Sequence, residues 1–133
     1  MDNCIFCKIA RNEAKSWKIF ENEKACAFLD INPISEFHTL VISKNHYVNI
    51  FDVPEGELLE IMKALKMVVQ LYEEKLGLKD VQIISNSGRA AQQDVFHIHF
   101  HVIPRKKGDG NNLKWITHPE YVPKFDKLLE KLT

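Results

Sequence analysis

The sequence predicts an α+β domain, an antiparallel sheet of about five short strands with one long helix and short helices near the two ends. Three observations predict it. Short runs rich in β-branched and aromatic residues recur between turn signals. One stretch, from Glu55 to about Leu76, repeats apolar residues at helical spacing. Residues 95–105 alternate apolar and imidazole side chains without a break. The chain has 133 residues, so one domain over 1–133 is expected, with a core over about 4–105 and a C-terminal extension over 106–133.

The elements follow in order. A short helix covers about residues 4–11, after Cys4-Ile5-Phe6-Cys7. Strands follow near Lys18–Glu21 and Ala25–Leu29. Asp30-Ile31-Asn32-Pro33 is turn chemistry, because Asp and Asn bond their own backbone and Pro fixes φ. Residues 39–42, Thr-Leu-Val-Ile, read as a strand. Pro54-Glu55-Gly56-Glu57 opens the long helix, with acidic residues where the macrodipole favours them. Its stripe of Leu58, Ile61, Met62, Leu65, Val68, Val69 and Tyr72 is core, and Gly77 is a natural stop. Val81–Ile84 is the next strand, and residues 86–93 form a loop of small and polar side chains.

The last strand begins at about Val95. Successive side chains of a strand point to opposite faces. Phe96, Ile98, Phe100 and Val102 therefore face a core, and His97, His99 and His101 line the other face. Residues 106–112 read as a mobile loop, and an amphipathic helix covers about 123–132. A meander of five strands with so few helices leaves one sheet face uncovered, which invites a ligand or a second copy of the chain.

Composition narrows the class. Apolar content of 45% and charged content of 27% are ordinary for a globular protein. Eighteen basic and 18 acidic residues balance, which argues against a dedicated nucleic-acid or anionic-membrane binder. No apolar run approaches the roughly 20 residues of a membrane span, and the N-terminal residues lack signal-peptide character. A cytoplasmic location is expected. Cys4 and Cys7 are spaced Cys-x-x-Cys, which in an unexported chain reads as metal or redox chemistry. Their place at the extreme N-terminus, with no preceding strand, argues against a thioredoxin-like centre. Cys26, in an apolar strand, reads as core.

His97-x-His99-x-His101, preceded by Gln93-x-Val95, resembles the signature of the histidine triad (HIT) nucleotide hydrolases and transferases. The resemblance extends in order over about residues 4–105, through Cys4-Ile5-Phe6-Cys7-Lys8-Ile9, Ala27-Phe28-Leu29-Asp30-Ile31, His38-Thr39-Leu40-Val41-Ile42 and Asn86-Ser87-Gly88. It implies the HIT fold, a homodimer and hydrolysis at the α-phosphate of a purine nucleotide conjugate. A nucleoside 5′-phosphoramidate is the preferred substrate, a dinucleoside polyphosphate the second. A nucleotide-binding regulatory module without turnover is the non-enzymatic alternative. A metal-dependent hydrolase using the strand histidines as zinc ligands is a further one.

The resemblance assigns roles by position. His99 is the nucleophile, since a neutral imidazole nitrogen attacks phosphorus and splits one displacement into two. Its other ring nitrogen needs an acceptor, which a backbone carbonyl supplies. His101 and His38 stabilise phosphate oxygens, and one of them protonates the leaving group. Gln93 holds the bridging or leaving atom, and Asn86 contacts a phosphate oxygen. Asp30 accepts from the ribose hydroxyls, with a turn role as its alternative. Phe6, Ile9 and Phe28 form the slot for the base, with plain core as theirs. No metal is required at phosphorus. Cys4, Cys7, His46 and His97 match a structural zinc site found in part of the family, the alternative being reduced, packed thiols. His97 then anchors the N-terminal segment and leaves phosphate to His99 and His101.

Three positions depart from the family pattern. Gln92 and Phe37 stand where glycine is common, and Asp94 where Ser or Thr is frequent. A carboxylate beside phosphates repels them unless it points away or takes a proton. Trp115, His118 and Tyr121 in the extension are candidates for shaping leaving-group selection.

Overall fold

The computed structural model describes residues 3–133. Helix α1 spans Ile5–Ala10, β1 Lys18–Glu21, β2 Ala25–Leu29 and β3 Thr39–Ser43. Helix α2 spans Glu55–Leu76, β4 Val81–Ile84, β5 His99–Pro104 and α3 Phe125–Glu130. All strand pairs are antiparallel, in the order β1-β2-β3-β5-β4. The fold is α+β, as expected, but not a simple meander. β5 inserts between β3 and β4, so the histidine strand is central and β4 takes the edge.

The two faces of the sheet have different fates. Ala25, Ala27, Val41 and Val102 pack beneath α2, whose Ile61, Ala64, Leu65, Val68 and Tyr72 are buried against them. Gly77 ends α2 at φ 67°; its N–H donates to the Glu73 carbonyl, an αL closure, and the Leu78 N–H donates to the Tyr72 carbonyl. The opposite face presents Cys26, Phe28, Leu40 and Ile42 to α1, through Phe6, Ile9 and Ala10. Helix α1 covers only part of that face. Across the remainder the register sets Ile42 beside His99 and Leu40 beside His101.

The strand expected to begin at about Val95 begins at His99; of the two core-facing side chains expected upstream, Ile98 is buried and Phe96 is not. Upstream the chain leaves the sheet, so Phe96 is 37% exposed, its ring beneath the Arg89 guanidinium. Ile98 is buried under α2, and its N–H donates to the Tyr47 carbonyl. The loop expected to be mobile is braced: Arg105 Nε donates to Asp109 Oδ2 at 2.7 Å and Nη2 to Asn112 Oδ1 at 3.1 Å. The last helix is shorter than expected, because a 3-10 turn over Pro119–Lys124 precedes α3. Residues 110–133 are exposed throughout. No helix among the described residues is long and apolar enough to cross a membrane.

Candidate active site and metal cluster

The uncovered part of the sheet floors a cleft of about 1170 Å³. His38, His99 and His101 line it together with Phe6, Ile9, Phe28, Asp30 and Asn86. Every residue expected to contact nucleotide is therefore on one wall or floor, with Gln93 excepted. His99 stands at the centre: its ring meets Phe6 edge-on at 5.2 Å between centroids and His101 at the same separation.

Hydrogen bonds fix the imidazole tautomers. His99 Nδ1 lies 2.7 Å from the His97 carbonyl. A carbonyl only accepts, so Nδ1 carries the proton and Nε2 of the neutral ring keeps its lone pair. Ser85 Oγ donates to the His99 carbonyl at 2.8 Å and holds the same residue from its backbone. In His38, Nδ1 accepts the Ile34 N–H at 3.1 Å, which puts the proton of the neutral ring on Nε2. That proton points to His101 Nδ1 at 2.9 Å. His101 then carries its own proton on Nε2. Burial pulls the pKa of both rings down, opposed by the Asp30 carboxylate, so each is neutral near pH 7. The result is a row of one lone pair, on His99, and one relayed donor, on His101.

Asp30 serves its turn and the cleft at once. Oδ1 accepts the Asn32 N–H at 2.8 Å, and Oδ2 lies 3.4 Å from His38 Nε2. Asp30, His38 and His101 offer ligand atoms within 4.8 Å of one another. The backbone donor on His38 Nδ1 keeps Nε2 protonated, which removes the lone pair a metal would need there.

Gln93 is the correction. It is buried and does not line the cleft. Its Nε2 donates to the Val48 and Val95 carbonyls, and its Oε1 accepts from Gly88 N and Asn49 Nδ2. With two donors and two acceptor sites occupied, the amide braces the 86–93 loop and has nothing left for a leaving atom.

His97 faces away from the cleft, toward the cysteines. Its Nε2 donates to the Ser43 carbonyl at 2.7 Å, leaving the lone pair on Nδ1. That atom lies 3.4 Å from Cys4 Sγ and 3.5 Å from Cys7 Sγ. His46 Nδ1 lies 3.3 Å from Cys7 Sγ. Zinc–sulfur bonds of about 2.3 Å and zinc–nitrogen bonds of about 2.0–2.1 Å at tetrahedral angles set ligand atoms roughly 3.5 Å apart. The four side chains thus have the spacing and donor set of a closed structural site, and the carbonyl behind His97 orients it as outer partners orient metal-bound histidines. Burial pushes the His97 imidazole down to about 4, which also favours the ligating form.

Among the extension residues singled out, Trp115 reaches the cleft and Leu113 joins it. His118 instead pairs with Glu120 at 2.7 Å and stacks on Tyr121. Sequence reasoning missed Ser85, the Ile34 N–H and the Ser43 carbonyl. Two of these act through the main chain, which leaves no side-chain signature to read.

The HIT domain profile matches residues 11–108. The chain is 38% identical over 135 residues to an adenosine 5′-monophosphoramidase of Candida albicans, covering 98% of this chain and 89% of that one. A crystal structure from Streptococcus mutans matches with a TM-score of 0.91 at 30% identity, over 99% of this chain and 84% of the other. A zinc-bound histidine triad family protein from Mycobacterium smegmatis matches with a TM-score of 0.78 at 33% identity, over 98% and 96%.

Proposed function

The chain belongs to the HIT domain family, and from that premise we propose that it is a nucleotide hydrolase acting at the α-phosphate of purine nucleotide conjugates, nucleoside 5′-phosphoramidates first among them. The observation that carries the reading is the His99 lone pair, held on the cleft floor by the His97 carbonyl beside the neutral His101 donor. His99 Nε2 attacks phosphorus and forms a P–N bond. The bond to the leaving group breaks, its electron pair goes to the departing atom, and His101 Nε2 supplies the proton. Through Nδ1 of His101, His38 is placed to replace that proton. Water then displaces the imidazole and releases the monophosphate. Phe6, Ile9 and Phe28 flank the base, Asp30 Oδ2 accepts from ribose, and Asn86 contacts a phosphate oxygen.

Cys4, Cys7, His46 and His97 hold a structural zinc ion, a reading supported by their spacing and by the zinc-bound relative. The ion ties α1 to the segment that delivers His99 and takes no part in the reaction. The protein acts as a homodimer, a reading supported by the apolar residues of the extension, Ile116, Leu129 and Leu132 among them, which are exposed.

Rapid quenching with an adenosine 5′-phosphoramidate followed by intact-mass measurement tests the mechanism. The expected result is one nucleotidyl group mapped to residue 99. His99→Ala is expected to abolish turnover while nucleotide affinity survives within about tenfold, or 1.4 kcal/mol. Full activity in that variant overturns the reading. His101→Ala is expected to lose about 10²–10³-fold in kcat, the usual cost of one donor to developing charge.

A further inference from the structure

The cleft carries a negative charge that the proposed reaction does not use. Asp94 lines it, its side chain 80% exposed and its Oδ1 3.7 Å from His99 Nε2. The carboxylate is held in place. Its Oδ1 accepts the Val95 N–H at 2.9 Å. The residue before it is fixed by the four bonds of the Gln93 amide, one of them to the Val95 carbonyl. Among the described residues, no lysine or arginine pairs with Asp94. The wall's lysine, Lys15, belongs to the segment after α1 and lies 5.1 Å over the Trp17 ring. The other carboxylate on the wall, Asp30, is already engaged by Asn32 and faces His38.

A phosphorus poised for attack sits about 3–3.5 Å from the nucleophilic nitrogen. The Asp94 carboxylate therefore lies within roughly 7 Å of it, inside the Debye length at physiological salt, whichever way the leaving group departs. On this basis, and resting on the function proposed above, we infer that Asp94 sets leaving-group specificity. It favours conjugates whose departing group bears a cationic amine and disfavours those whose departing group is a phosphate chain. As the P–N bond breaks, its electron pair goes to nitrogen and His101 supplies the proton. The departing amine and any second ammonium on it then lie in the field of the carboxylate. A departing polyphosphate meets the same field as repulsion. Trp115, on the same cleft, offers an aromatic face that suits a cation as well.

Three adenylate substrates test this: a phosphoramidate of a diamine with one free ammonium, a phosphoramidate of propylamine, and diadenosine tetraphosphate. The measurement is kcat/KM for the unmodified protein, Asp94→Asn and Asp94→Lys. The ratio of cationic to anionic substrate is expected to fall at least fivefold in Asp94→Asn and further in Asp94→Lys, while the neutral phosphoramidate stays within about threefold. A fall below fivefold in both variants, or an equal loss on all three substrates, overturns the inference. Hydrolysis of the neutral substrate, and its loss in His99→Ala, tests the underlying reaction separately. If nothing is turned over, that reaction fails. The inference is then decided by affinity, comparing a lysyl sulfamoyl adenosine with methylene-bridged ADP. Their preference should move the same way in Asp94→Lys, and an unmoved preference overturns the inference.

Discussion

Phe37 and Gln92 hold backbone conformations that suit glycine, at φ 65° and φ 71°. Both stand where the family pattern commonly has glycine. Each therefore carries a cost of about 1–2 kcal/mol for a side chain in the left-handed region. Gln92→Gly relieves that cost and gives back roughly half as extra freedom of the unfolded chain. We expect a net gain of about 0.5–1 kcal/mol, read as a higher urea midpoint at unchanged slope. An unaltered or lower midpoint refutes the strain at this position. These departures were legible in the sequence, as was the grouping of His38, His99 and His101 around Asp30. The role of Gln93 was not. Its position suggests a reaching amide, but four local backbone and side-chain partners decide where it points, and none has a sequence signature.

Helix α1 has six residues, too short to be stable alone, and is held by its apolar side and by Cys4 and Cys7. On the zinc site proposed above, a strong chelator is therefore expected to speed amide exchange across α1 while the interior of α2 stays protected. Equal exchange with and without chelator removes the metal from the account. Periodicity made α2 readable to its last residue, because its apolar stripe and Gly77 are local signals. The start of β5 was misread for the complementary reason. Side-chain alternation runs on from residue 95, but strand pairing needs a partner, and β3 offers its first bridge to β5 only at Ile42 with His99. The residues upstream bend away, which carries His97 to the cysteines and leaves its carbonyl beneath His99.

Across the whole molecule, strand order was the least legible property, since nothing local tells β5 to insert between β3 and β4. Stability has its own determinant. His97 is enclosed by Phe6, Cys7, Ser43 and His46, and its folded pKa of about 4 lies below the ordinary 6.5. The unfolded chain binds more protons between those values, so stability is full above pH 6.5 and is lost as pH falls toward 4. The effect is on the order of 3 kcal/mol, and a bound metal adds to it with the same sign. Thermal melts from pH 7.5 to 4.5 should show the decline; a flat melting temperature over that range refutes it. The sealed α2 face bears on ligand capture too. The histidine-bearing strand is paired along both edges and packed under α2 on its other side. On the function proposed above, closure over a bound phosphate therefore falls to the cleft's rim, to the turn at Asp30 and the arm that carries Trp115.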